Sequence, residues 1–151
     1  MTLNKINFFA QNVSQPVKKK KLIRAWLLLL LQKEVESLSS VEINLIFCDD
    51  EYLYQLNTKY LKHTTLTDII TFDYSEDNHL KADVFISTER VKENAKLFSQ
   101  TFTDEISRVM AHGLLHVCGY KDKTAKAKAI MTEKENFYLD LLNDFTNQSN
   151  A

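Results

Sequence analysis

From Leu3 to Phe9 apolar and polar side chains alternate, the two-residue period of a half-buried strand. Pro16 then precedes a long run of helix formers over residues 17–37, which predicts a helix with Pro16 in or near its first turn. Ala25 to Leu31 within it is unbroken apolar sequence. A bilayer crossing needs roughly 20 such residues, so a buried helix is expected instead. Ser39 and Ser40 end the pattern. Val41, Ile43, Leu45 and Phe47 then fall on one face of a second strand, with Ile46 on the other. Asp49 and Asp50 suit the cap of a short helix over 51–61. Residues 67–74 are β-branched and aromatic, a third strand; 75–81 are polar and read as a turn; 82–86 are a fourth strand. Ser87 or Thr88 can cap a helix that reaches about Ser99.

Further on, Thr103 is the expected N-cap of a helix with Asp104 and Glu105 in its first turn, where carboxylates favour the helix dipole. Ile106, Val109, Met110, Gly113, Leu114 and Val117 recur at three- and four-residue steps, an amphipathic face packed on a core. Gly119 can adopt a positive φ and end that helix. After a loop at 121–123, Thr124 opens a last helix with Ile130, Phe137, Tyr138, Leu141 and Leu142 as its buried stripe, and 146–151 form a polar tail. The expectation is one α+β domain over residues 1–151: a mixed sheet of about four strands packed with about five helices.

Composition narrows the function. The 151 residues are 44% hydrophobic and 26% charged, with a formal net charge of −1, which suits a globular fold and excludes a protein that holds nucleic acid by bulk charge. A local basic groove stays possible. Lys18 to Lys21 look like a solvated helix start, with a nucleic-acid patch as the alternative. Arg24 and Gln32-Lys33-Glu34 argue against a signal peptide. Cys48 and Cys118 are expected as reduced thiols, and His63 and His79 as surface residues.

Both glycines of the chain, Gly113 and Gly119, lie in one segment, His112-Gly113-Leu114-Leu115-His116-Val117-Cys118-Gly119-Tyr120-Lys121-Asp122. His112 and His116 are four apart on the expected helix, so their side chains share a face and can reach a common point. A turn at Gly119 can fold Asp122 back toward both imidazoles. Two histidines and a carboxylate make a three-ligand site with an open position, the pattern of a catalytic metal ion, with zinc or another divalent ion acceptable. A water held there would be acidified and could act as base or nucleophile. The spacing is also that of a metalloprotease helix, but Gly113 stands where such a protease carries its general-base glutamate, which counts against a peptidase. Cys118 reads as buried filler, and Gly113 serves either close packing or the metal. Asp68, with Thr67, is a hydrogen-bonding pair at a strand entry or a cleft residue. Arg108 either contacts RNA or forms a surface pair with Glu105.

The segment resembles the His-Gly-x-Leu-His-Leu-x-Gly-Tyr-Asp-His signature of the YbeY family of bacterial metal-dependent endoribonucleases. Leu56-Asn57, Tyr60 and Thr67-Asp68-Ile69-Ile70-Thr71-Phe72 resemble a second block of that family, Ala82-Asp83-Val84-Phe85-Ile86-Ser87 resembles its Gly-Asp-Ile-x-Ile-Ser strand, and Met131 and Glu135 fit its last helix. The resemblance implies a zincin-like arrangement with the metal on a helix and the following loop. It implies one Zn2+ or other divalent ion on His112, His116 and Asp122, and cleavage of single-stranded RNA. It further implies action in maturation of the 3′ end of 16S rRNA and in ribosome quality control, with ribosomal proteins as partners, a cytoplasmic location, and neither DNA nor membrane as a target.

Two positions depart from the family pattern. Asp122 stands where the family usually has a third histidine; its charge makes the bound ion a weaker Lewis acid. Leu61 replaces an arginine, removing a bidentate phosphate contact, and Lys59 or Lys62 can supply only a mobile point charge. Lys59, Lys62, Lys121 and Lys123 are therefore the candidate RNA contacts. The alternative function is a ribosome-associated assembly factor with a chiefly structural metal.

Overall fold

The computed structural model describes residues 4–61 and 67–149. Four strands form one sheet: β1 (Asn4–Ala10), β2 (Ser40–Cys48), β3 (Ile69–Asp73) and β4 (His79–Ser87), in the spatial order β1-β2-β4-β3. β1, β2 and β4 run parallel, and β3 pairs antiparallel with β4 at one edge. The helices are α1 (Lys20–Glu34), α2 (Asp50–Leu61), α3 (Thr88–Leu97), α4 (Phe102–Val117) and α5 (Ala125–Ser149). This is the α+β domain with a mixed sheet that the patterning implies.

Alternation in β2 has the expected result. Val41, Ile43, Leu45 and Phe47 are fully buried in a core that also takes Trp26, Leu27, Leu30 and Leu31 of α1 and Met110, Leu114 and Leu115 of α4. The Trp26 indole donates to the Tyr138 carbonyl at 2.7 Å, tying α1 to α5. α2 covers the opposite face through a smaller cluster of Cys48, Leu53 and Ile70, with Phe72 and Phe85 packed edge to face beside it. No described helix is long and apolar enough to cross a membrane.

Several boundaries differ from expectation. α1 begins at Lys20, so Pro16 precedes it rather than entering its first turn. The polar stretch after β3 is a tight hairpin: Glu76 and His79 exchange backbone hydrogen bonds of 3.0 and 2.9 Å, with Asp77 at φ 51°. β4 therefore starts at His79, earlier than its apolar run. Thr101, not Thr103, caps α4, its hydroxyl accepting from the Asp104 N–H at 3.1 Å. The stripe on α5 is also shifted. Ile130 and Phe137 are 39% and 49% exposed, while Met131, Glu135, Tyr138 and Leu142 point inward. Alternate four- and three-residue steps join those four into one face, and a buried glutamate among them is what apolar counting cannot see. The helix also continues to Ser149, through most of the expected tail.

Candidate metal centre

α4 lies against β3 and β4, and position 113 faces that contact. A Cβ on Gly113 would stand 2.8 Å from Ile69 Cδ1 and 3.0 Å from Val84 Cγ1. Glycine is there for close packing. A glutamate in its place would face the sheet.

The face of α4 that carries His112 and His116 is only partly covered, the two side chains being 22% and 28% exposed. Their imidazoles meet through Nε2 atoms 2.9 Å apart. Asp122 returns to them because the helix ends in a Schellman turn: Gly119 N–H donates to the His116 carbonyl at 3.0 Å and Tyr120 N–H to the Leu115 carbonyl at 3.1 Å. The turn requires a left-handed residue, and Gly119 has φ 105°. Asp122 Oδ2 then lies 3.2 Å from both Nε2 atoms.

The outer nitrogens of both rings are committed elsewhere. His112 Nδ1 bonds Glu135 Oε2 at 2.7 Å, and His116 Nδ1 bonds the Tyr120 carbonyl at 2.9 Å. Each partner fixes ring orientation and leaves Nε2 as the free donor, the arrangement seen around metal-ligating histidines. A tetrahedral ion with bonds of zinc length holds its ligand atoms roughly 3.3 Å apart, so this donor set fits one. The surroundings are negative as well. Burial alone would lower the pKa of His112, but the hydrogen bond and charge of Glu135, with Asp122 and Asp68, hold it above the ordinary histidine value. The field that holds a proton there also favours a metal cation, and the two compete for Nε2.

Glu135 is held in turn. Its Oε1 accepts from Arg108 at 2.9 Å, and the same guanidinium donates to Asn136 at 2.7 Å. The expected surface pair of Arg108 with Glu105 is thus not formed: Glu105 turns inward and is 5% exposed, while Arg108 crosses from α4 to α5. Sequence reading placed Glu135 by resemblance alone and missed its contact with His112, because the two lie 23 positions apart.

The three ligand atoms open into a cleft of about 520 Å³ between β3, α2 and the loop after α4, lined also by Asn57, Thr67, Asp68, Thr71 and Lys123. Asp68 lines the cleft, its carboxylate accepting from Asn94 Nδ2 at 3.4 Å, while the Thr67 hydroxyl donates to the Ile69 carbonyl at 3.2 Å rather than to Asp68. The Asp68 carbonyl accepts from Ser87 N–H at 3.0 Å, and burial pushes its carboxyl above the usual range despite the opposing influence of His112. Among the candidate RNA contacts, Lys123 lines the cleft. Lys121 and Lys59 are exposed and not among the lining residues; Lys59 sits over the Tyr60 ring at 5.3 Å. Lys62 and His63 lie outside the described residues. His79 is exposed as expected, though on a strand, where its Nδ1 meets Ser40 Oγ at 2.8 Å. The thiols are free; burial, with nearby carboxylates, pushes both up to about 12.

The Endoribonuclease YbeY family matches residues 6–143. A protein named Endoribonuclease YbeY from Cytophaga hutchinsonii is 48% identical over 137 residues, covering 90% of this chain and 94% of its own length. One of the same name from Christiangramia forsetii is 44% identical, covering 89% and 92%. A solution structure of a Thermotoga maritima protein is similar at a TM-score of 0.66 and 26% identity, over 96% of this chain and 93% of that one.

Proposed function

This chain belongs to the YbeY endoribonuclease family, and we propose that it is a metal-dependent endoribonuclease that cuts single-stranded RNA. The observation that carries this reading is the convergence of His112 Nε2, His116 Nε2 and Asp122 Oδ2 at the mouth of a cleft, with both Nδ1 atoms already occupied. His112, His116 and Asp122 would hold one divalent ion, and the donor set suits zinc. When bound, that ion supplies Lewis acidity, acidifying water and neutralising charge on phosphoryl oxygens.

The chain's own residues do the rest. Glu135 and the Tyr120 carbonyl keep the imidazoles aimed. Lys123 at the cleft wall offers a positive charge to a phosphate, and Lys59, Lys62 and Lys121 are the further contacts that the sequence offers. A lysine is a point charge without the fork of an arginine, so grip on the scissile phosphate is looser than an arginine in place of Leu61 would give. The substrate within this reading is precursor rRNA, including the 3′ end of 16S rRNA. The setting is cytoplasmic, in ribosome maturation and quality control, with ribosomal proteins as partners.

The test is cleavage of an end-labelled single-stranded RNA by the wild type and by His116→Ala, purified side by side and both shown to be folded. Cutting that disappears in the variant supports the nuclease. Equal cutting by both, or none by either with metal bound, rejects it in favour of an assembly factor.

A further inference from the structure

Glu34 ends α1, and its side chain is only 7% exposed. Its Oε1 accepts from the Tyr120 hydroxyl at 2.5 Å, and its Oε2 accepts from the Tyr138 hydroxyl and lies 3.2 Å from Lys134 Nζ. Burial alone would push this carboxyl up, yet the hydrogen bonds from Tyr120, Tyr138 and Lys134 outweigh it and hold the group below the usual range, as an anion. Charge-assisted bonds of this kind are about twice as strong as neutral ones.

Tyr120 is the residue that ties this cluster to the cleft. Its hydroxyl is on Glu34, its ring lies 5.7 Å beneath Lys134 Nζ, its N–H is on the Leu115 carbonyl, and its own carbonyl receives His116 Nδ1. Around it the chain is open: Gly119 and Lys121 on either side are exposed. Tyr120 packs against the edge of the core, and Glu34 and Lys134 are the polar contacts that hold its hydroxyl end in place.

We propose that Glu34 is a positioning residue for the metal centre: by gripping the Tyr120 hydroxyl it fixes the carbonyl that orients His116, and with it the turn that delivers Asp122. His112 is braced from α5 through Glu135, and His116 is braced from α1 through Glu34 and Tyr120. The two ligand histidines are thus aligned by separate carboxylates on separate helices. This inference rests on the metal reading above.

Cobalt(II) is the probe, titrated into the full chain and followed by its visible absorption. The wild type, Glu34→Gln, Tyr120→Phe and the double variant are compared, each checked for native circular dichroism. Glu34→Gln keeps the shape and removes the charge; Tyr120→Phe keeps the carbonyl and removes the grip. Each single variant is expected to bind cobalt about tenfold more weakly, the lower end for residues that orient metal ligands, with a displaced absorption band. Because both act through one carbonyl, the double variant should be no weaker than the weaker single one. A lower melting temperature with unchanged cobalt affinity and spectrum would overturn the proposal, as would losses that multiply in the double variant. A wild type that takes up no cobalt would overturn the metal reading and this inference together.

Discussion

Gly113 shows how a single residue can separate two chemistries that share a spacing. The protease reading fails at this position for a steric reason as well as a chemical one, since the Cβ direction points at Ile69 and Val84. Gly113→Glu should therefore destabilise the fold by at least about 2 kcal/mol in urea titrations, through overpacking and a buried carboxyl, and should create no peptidase activity. A stable variant that cuts casein would reject this account. Glu34 makes a pH prediction at the same scale. Its folded pKa is depressed, so its contribution is present above the ordinary glutamate value and is lost as pH falls through the folded value. Urea midpoints measured between about pH 6 and pH 3 should fall toward acid in the wild type and less steeply in Glu34→Gln. Parallel curves would show that Glu34 has no such role. The thiols test burial directly. With Cys48 fully buried and both groups pushed up to about 12, iodoacetamide should label neither at the rate of a free thiol at neutral pH until urea is added.

At the scale of elements, what was legible in the sequence followed from what each signal measures. Period-two and period-three-to-four patterns report which face of an element is apolar, and β2 and α4 obey them because their buried faces carry no charge apart from Glu105. α5 breaks the rule because its inward face carries Glu135, while Phe137 stays outside and packs edge-on against Tyr138 with centroids 5.0 Å apart. The true partner of Arg108 was invisible for the same reason. Neighbours in sequence suggested Glu105, but the helix crossing selects Glu135. Arg108→Ala should then leave Glu135 poorly compensated beside His112. The arginine is part-exposed, so water softens the cost; a loss of about 1–3 kcal/mol in urea titrations is expected. If the α4–α5 pair were an idle surface contact, the loss would stay near zero.

The whole molecule separates the ligand set from the core. The ligand residues were legible because they sit within one stretch of eleven residues, where a helix turn and a glycine set their geometry. The supporting contacts of Glu135 and Glu34 were not, because these residues arrive from other helices, 23 positions from His112 and 86 positions from Tyr120. That distribution decides what the ion does for stability. The sheet, α1 and α4 close over a core of fully buried residues that includes Trp26, Leu30, Ile43, Leu45, Leu114 and Leu115. The site itself is a partly open rim, with His112, His116 and Asp122 side chains 22%, 28% and 36% exposed. An ion there adds binding energy to a fold already formed, so chelation should leave far-ultraviolet circular dichroism and cooperative melting intact. Adding zinc at free concentration c should stabilise the fold by RT ln(1 + c/Kd), about 2.7 kcal/mol when free zinc is a hundredfold above its dissociation constant, and the melting temperature should keep rising with the logarithm of free zinc. A chain that loses its structure in chelator would instead mean that metal binding drives folding, and the assembly-factor reading with a structural ion would take the place of the nuclease.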